Sequence, residues 1–122
     1  QIIDQFKLNK KKMLMIDPQG YLEFMFLVKN AKGIITDSGG ITEEATVLHI
    51  PCLTMRNSTE RPETITLGTN ELIGDDIHKL KPGIQKIIDG KWKKGTIPPF
   101  WDGNTSERIV NILENVDALK NA

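Results

Sequence analysis

An open, mostly parallel α/β sheet with helices on both faces is the fold this sequence predicts, and three observations carry it. Short apolar runs alternate with longer amphipathic ones, the pattern of parallel βα units. Two of the short runs stop at turn-forming segments, Asp17-Pro18-Gln19-Gly20 and Asp37-Ser38-Gly39-Gly40. The length of 122 residues suits one domain with one core.

The elements follow in order. Met13-Leu14-Met15-Ile16 reads as a first strand, and the dense apolar residues of 21–32 as a helix packed on a sheet. Gly33-Ile34-Ile35-Thr36 reads as a second strand. Ile41, Ala45 and Leu48 fall at i, i+4 and i+7, the stripe of an amphipathic helix. A third strand is expected at residues 52–55, then a polar loop over 56–63 and a short extended piece around Glu71-Leu72-Ile73. Pro82 breaks a continuous helix over 77–89 but suits the first turn of a shorter one ending at Asp89. Residues 91–103, rich in Lys, Gly and Pro, read as a connection, and Ile109, Ile112, Leu113 and Val116 mark a last amphipathic helix.

Composition narrows the function classes. Sixteen Lys and Arg balance sixteen Asp and Glu, so no global field favours nucleic acid or an anionic membrane. An anion site must then be local, built from a loop or a helix end. No apolar stretch approaches the length of a membrane span. The single cysteine, Cys52, excludes an internal disulfide framework and fits a reducing, cytoplasmic setting. Its place in the run Ile50-Pro51-Cys52-Leu53 reads as a buried structural thiol. Gln1-Ile2-Ile3 opens without an initiator Met, as though inside an element already under way, and a fragment is expected.

The candidate site lies where the second strand ends. In open α/β sheets ligands bind beyond the carboxyl ends of strands, at a switch in strand order. Ser38-Gly39-Gly40 places a tight turn there, and its glycines let a ligand oxygen approach backbone N–H groups. The first-turn amides of the next helix point outward with the positive end of the helix dipole behind them, which suits a phosphate. Ser38 adds a hydroxyl and could cap the helix. Of Glu43 and Glu44, one suffices to complement the dipole, whereas Glu44 could instead accept two hydroxyls of a ribose. Thr59-Glu60-Arg61-Pro62-Glu63 follows the next strand. It reads either as a solvated loop with local ion pairing or as the carrier of Arg61, an arginine able to meet a diphosphate bidentately.

Taken together these runs resemble one family. Thr36-Asp37-Ser38-Gly39-Gly40-Ile41-Thr42-Glu43-Glu44-Ala45, then Pro51, then Thr59-Glu60-Arg61-Pro62-Glu63 look like the signature of UDP-N-acetylglucosamine 2-epimerases. Asp17-Pro18-Gln19 with Tyr21 and Phe24, and Trp101-Asp102-Gly103 leading to Arg108-Ile109, are similar to that family as well. The resemblance runs from about Met13 to about Leu113. It implies a Rossmann-like domain, the C-terminal half of a two-domain GT-B-like fold, with residues 1–122 as its UDP-binding part and the N-terminal domain absent. It implies that Ser38, Gly39 and Gly40 hold the diphosphate, Glu44 the ribose, Gln19 and Phe24 the uracil, and Arg61 the nucleotide. The implied reaction interconverts UDP-N-acetylglucosamine and its manno epimer by eliminating UDP and adding it back, with neither a metal nor another cofactor.

Two positions depart from the family pattern. Thr42 stands where the family usually has Gln, and His49 where it usually has Gly, at a helix end that prefers a left-handed residue. His49 lies a helix length from the Ser-Gly-Gly turn, which argues against a role as a base, and His78 sits in a polar run. The family's acid/base carboxylates and its His-Arg pair precede this segment. No catalytic residue is therefore expected here, and the chain alone is expected not to epimerise. The motif spacing looks more like the non-hydrolysing branch. Two other readings stay open: the nucleotide-sugar half of a glycosyltransferase, and a stand-alone UDP-binding module. Expected partners are UDP and UDP-N-acetylglucosamine, the missing domain and, through an uncovered apolar face, a second copy in a homodimer.

Overall fold

The computed structural model describes residues 13–120. Three strands, β1 (Ile34–Thr36), β2 (Cys52–Thr54) and β3 (Asn70–Leu72), form one sheet in the order β1-β2-β3. Both pairings are parallel, with Ile34 opposite Cys52 and Cys52 opposite Asn70. Parallel neighbours need crossovers. These are α2 (Ile41–Val47) between β1 and β2, and α3 (Glu63–Thr66) between β2 and β3. α1 (Tyr21–Lys29) precedes the sheet, and α4 (Ile77–Ile88) and α5 (Thr105–Lys120) follow it.

Side chains alternate across a strand, and β2 shows both faces covered. Leu53 is fully buried, and a Cβ on Gly83 of α4 would come within 2.8 Å of it, so α4 lies on that face. Ile87, one turn on, packs in the same way over Gly33. Cys52 and Thr54 point to the opposite face, where Thr54 meets Asn70 and Asn70 meets Thr64 of α3. The expected helices on both faces are present. Cys52 is buried, and burial pushes its thiol pKa up, as befits a packing residue.

The structure corrects three expectations. Met13, Leu14, Met15 and Ile16 form no strand, and Leu14 is 89% exposed. An apolar run reports a need for burial, but only a neighbouring strand supplies a hydrogen-bond ladder, and β1 pairs with β2 alone among the described residues. Secondly, α4 continues through Pro82. The lost N–H bond costs about 3 kcal/mol in a helix interior. Against it stand the close packing of Gly83 on Leu53 and the Asp76 cap, whose carboxylate accepts from the His78 N–H at 2.8 Å. Thirdly, the strand order is sequential, so the described sheet has no reversal point. The polar loop expected after β2 is present over 56–62 and leads into the single turn of α3, which Thr64 and Thr66 hold by donating to the carbonyls of Arg61 and Pro62.

The end of α2 accounts for His49. Its N–H donates to the Thr46 carbonyl and the Ile50 N–H to the Ala45 carbonyl, the paired bonds of a Schellman close. That close needs a left-handed residue, and His49 provides it at φ 57°. A Cβ is disfavoured in that region, so the histidine is held there by the bonds around it.

Candidate functional site

The carboxyl ends of β1 and β2 set the site. Met55 N–H donates to the Thr36 carbonyl at 2.7 Å, so the two strand ends leave the sheet side by side. The chain after β1 turns at once, because the Ser38 N–H donates to the Thr36 hydroxyl at 3.0 Å. Ser38 therefore does not cap α2, contrary to expectation. The cap position belongs to Gly40, two residues later, and no side chain closes it. Thr42 locks the turn to the helix instead: buried, it donates its hydroxyl to the Gly39 carbonyl at 2.6 Å.

The two glycines have different surroundings. Gly40 has ordinary right-handed helical angles, and a Cβ there would meet nothing within 4 Å. The backbone conformation does not require glycine at this position; what glycine leaves there is open space where a Cβ would stand. A Cβ on Gly39 would instead lie 2.9 Å from Nη1 of Arg56 and 3.7 Å from Oε2 of Glu60. An arginine side chain occupies that space.

Two arginine–carboxylate pairs flank the turn. Arg56, the second residue after β2, directs its fork at Glu60, with Nη2 3.0 Å from Oε1 and Nη1 3.4 Å from Oε2. Glu60 is held below the usual carboxylate range, first by its own backbone N–H and then by Arg56. Arg61 donates from Nε to Oε1 of Glu43 on α2, and this bond raises the arginine's pKa further. Glu43 is thus engaged across the site and is more than a complement to the helix dipole. Beneath the pairs runs a buried polar chain. Thr54 donates to Asn70 at 2.6 Å, Asn70 to Thr64 at 3.2 Å, and Thr64 to the Arg61 carbonyl at 2.8 Å. It fastens the Arg61 loop to the core of the sheet.

The remaining site residues named from the sequence fall in three recesses. Phe24 and Ser38 line one recess of about 350 Å³ beside β1 and α1. Glu44 lines another of about 350 Å³, together with Tyr21, Met25 and Trp101. Gln19 lies apart from both, in a recess shared with Ile16, Leu22 and Phe26, and its amide donates to the Asp17 carbonyl at 2.8 Å. Ser38, Gly39 and Gly40 follow β1 and Arg61 follows the neighbouring β2, with Glu43 tying Arg61 to α2, whereas Glu44 and Gln19 line recesses separate from that of Ser38 and Phe24. Sequence reasoning passed over Arg56. Its place immediately beyond β2, at the same edge as Ser38, was the signal that could have found it.

Beside Trp101, Asp102 and Arg108 make contacts of a different kind. Asp102 accepts from the Asn104 N–H at 3.0 Å and pairs with Arg108 at 2.6 Å, while the guanidinium lies 5.1 Å from the centroid of the Phe100 ring. These contacts start α5. Among the described residues no helix is long and apolar enough to cross a membrane.

Fold and site together define a Rossmann-like α/β protein with a backbone turn, two arginines and several carboxylates gathered at the carboxyl edge of its sheet. Residues 1–114 match the family model described as UDP-N-acetylglucosamine 2-epimerase. A relative of that description from Methanocaldococcus jannaschii is 48% identical over 114 residues, covering 92% of this chain and 30% of the relative. The crystal structure of the Methanocaldococcus jannaschii UDP-GlcNAc 2-epimerase in complex with UDP-GlcNAc and UDP superimposes with a TM-score of 0.74 at 47% identity, over 93% of this chain and 31% of that one. The Neisseria meningitidis UDP-GlcNAc 2-epimerase bound to UDP-GlcNAc gives a TM-score of 0.61 at 34% identity, over 82% of this chain and 28% of that one. The chain belongs to the UDP-N-acetylglucosamine 2-epimerase family. It spans about a third of the length of the relatives it matches.

Proposed function

We propose that this chain is the UDP-binding, C-terminal part of a non-hydrolysing epimerase that interconverts UDP-N-acetylglucosamine and UDP-N-acetylmannosamine. The observation that carries the reading is the open turn at Gly40, set between the two arginine pairs at the carboxyl edge of a parallel sheet, in a chain of this family. Family membership favours the epimerase over the glycosyltransferase half that shares such a fold.

In this reading the first-turn amides of α2 and the Ser38 hydroxyl receive the diphosphate, Arg61 adds charge, and Glu44 accepts the ribose hydroxyls. Phe24, bordering the Ser38 recess, offers an aromatic face for the uracil. Gln19 would have to move toward that recess to share the role. Elimination takes a proton from C2 as UDP leaves C1; re-addition returns UDP to C1 and a proton to the other face of C2. The two steps leave the oxidation state unchanged, so they call for no redox cofactor. The residues on this chain bind and orient the leaving group, and the proton transfers belong to groups elsewhere in the full enzyme.

Calorimetric titration of UDP into the chain, beside a Ser38→Ala/Glu44→Ala double variant, tests the site. Binding by the parent and loss in the variant is the expected result; equal binding by both would place the pocket elsewhere. No conversion of UDP-N-acetylglucosamine by the chain alone is expected. Exposed Leu22, Phe26, Ile112 and Leu113 support the expectation of a homodimer. A monomeric sedimentation profile at all concentrations would contradict it.

A further inference from the structure

The two arginines beside the turn are held differently. Arg61 reaches across to α2, whereas Arg56 and its partner Glu60 both lie against Gly39. The Arg56 backbone is fixed, since its carbonyl accepts from the Gly74 N–H at 3.1 Å, and its side chain is only 33% exposed. Glu60 is 71% exposed and lies in the loop between β2 and α3. The anchored member of the pair is the cation, and the replaceable member is the carboxylate.

Charge and geometry say what could replace it. Asp37, Glu43, Glu44, Glu60 and Glu63 outnumber Arg56 and Arg61 in the segments that form this edge. A diphosphate entering there competes with those carboxylates for the two arginines. A guanidinium fork that fits two carboxylate oxygens fits two phosphate oxygens equally well. The missing Cβ of Gly39 brings that fork against the turn itself.

We propose that Arg56 is a second cationic ligand of the diphosphate, held against Gly39 by Glu60 at rest and transferred from that carboxylate to a phosphate on binding. The inference rests on reading this edge as a nucleotide site. In the full enzyme the same guanidinium would lie where negative charge accumulates as UDP departs, and would stabilise the leaving group.

The test is a set of NMR titrations of the whole chain with UDP and with uridine, on the parent, Arg56→Ala, Arg56→Lys and Glu60→Gln. Arg56→Ala should lose about tenfold in UDP affinity and Arg56→Lys about threefold, because lysine keeps the charge without the fork. Uridine affinity should not change in either. Glu60→Gln should tighten UDP binding about two- to threefold by removing the competing carboxylate. Should Arg56→Ala unfold, the Lys and Gln variants decide. Folded Arg56 variants that bind UDP like the parent overturn the proposal, and so does a Glu60→Gln variant weakened as much as Arg56→Ala, which would make the pair a structural strut. A parent chain that takes up no UDP overturns the site reading and this inference with it.

Discussion

Asn70 donates to the Thr64 hydroxyl at 3.2 Å, and through that bond the central sheet holds the loop that carries Arg61. Asn70 is fully buried and also accepts from Thr54, so its amide uses both its donor and its acceptor side. Asn70→Leu keeps the branched shape, in a somewhat larger side chain, but leaves the Thr54 hydroxyl without its acceptor. A loss of about 1–3 kcal/mol is expected for such an unsatisfied buried group, measured by urea unfolding. A smaller change would show that the polar chain is dispensable for the fold.

Gly40→Ala separates conformation from access. The residue has right-handed helical angles and an added Cβ meets nothing within 4 Å, so the reduced unfolded-state entropy offsets alanine's poorer fit at an N-cap and stability should change by no more than about 1 kcal/mol. UDP affinity should nonetheless fall, because the methyl enters the space in which the phosphate is proposed to sit. Thermal unfolding and calorimetry on one preparation check both halves. Unchanged affinity would move the phosphate away from Gly40.

His49→Gly should stabilise the chain. The left-handed φ of 57° is costly for a residue with a Cβ, and glycine removes that cost while adding some unfolded-state entropy. The net gain expected is about 0.5–1 kcal/mol in urea unfolding, with UDP affinity unaffected. A destabilised variant would mean that the imidazole makes a contact worth more than the strain.

Acid should loosen the start of α5. Asp102 is held below its ordinary pKa, chiefly by the Asn104 N–H and also by Arg108. A carboxyl depressed in the folded state contributes stability above its unfolded pKa of about 4 and loses that contribution as pH falls through the folded value. The melting temperature should therefore drop below about pH 4, and part of that drop should vanish in Asp102→Asn, which would already be less stable at pH 7. Parallel pH profiles for the two proteins would assign the acid sensitivity to other carboxylates.

Much of the fold was legible in the pattern. The apolar runs at 34–36 and 52–54, the stripe Ile41, Ala45, Leu48 and the last amphipathic helix all lie where periodicity put them. So do the Ser38 turn and the Arg61 loop, which follow neighbouring parallel strands and therefore leave the sheet at the same edge. Met13–Ile16 was misread, since hydrophobicity carries no information about which strand will be a neighbour. Pro82 could not be placed, because local propensity does not include the packing of Gly83 on Leu53.

By itself, then, the sequence determined the strands at 34–36 and 52–54, the helices at 41–47 and 105–120, and the turn that bears Ser38, Gly39 and Gly40, while the family resemblance singled out the helix end at His49. The first three follow from local sterics or from the period of burial along the chain. Tertiary structure alone decided that Glu43 engages Arg61, that Gly39 yields its space to Arg56 while Gly40 stays open, and that Gln19 stands apart from Phe24. Those relations join segments as many as eighteen residues apart. They depend on where side chains meet once the sheet has formed, which no local rule encodes.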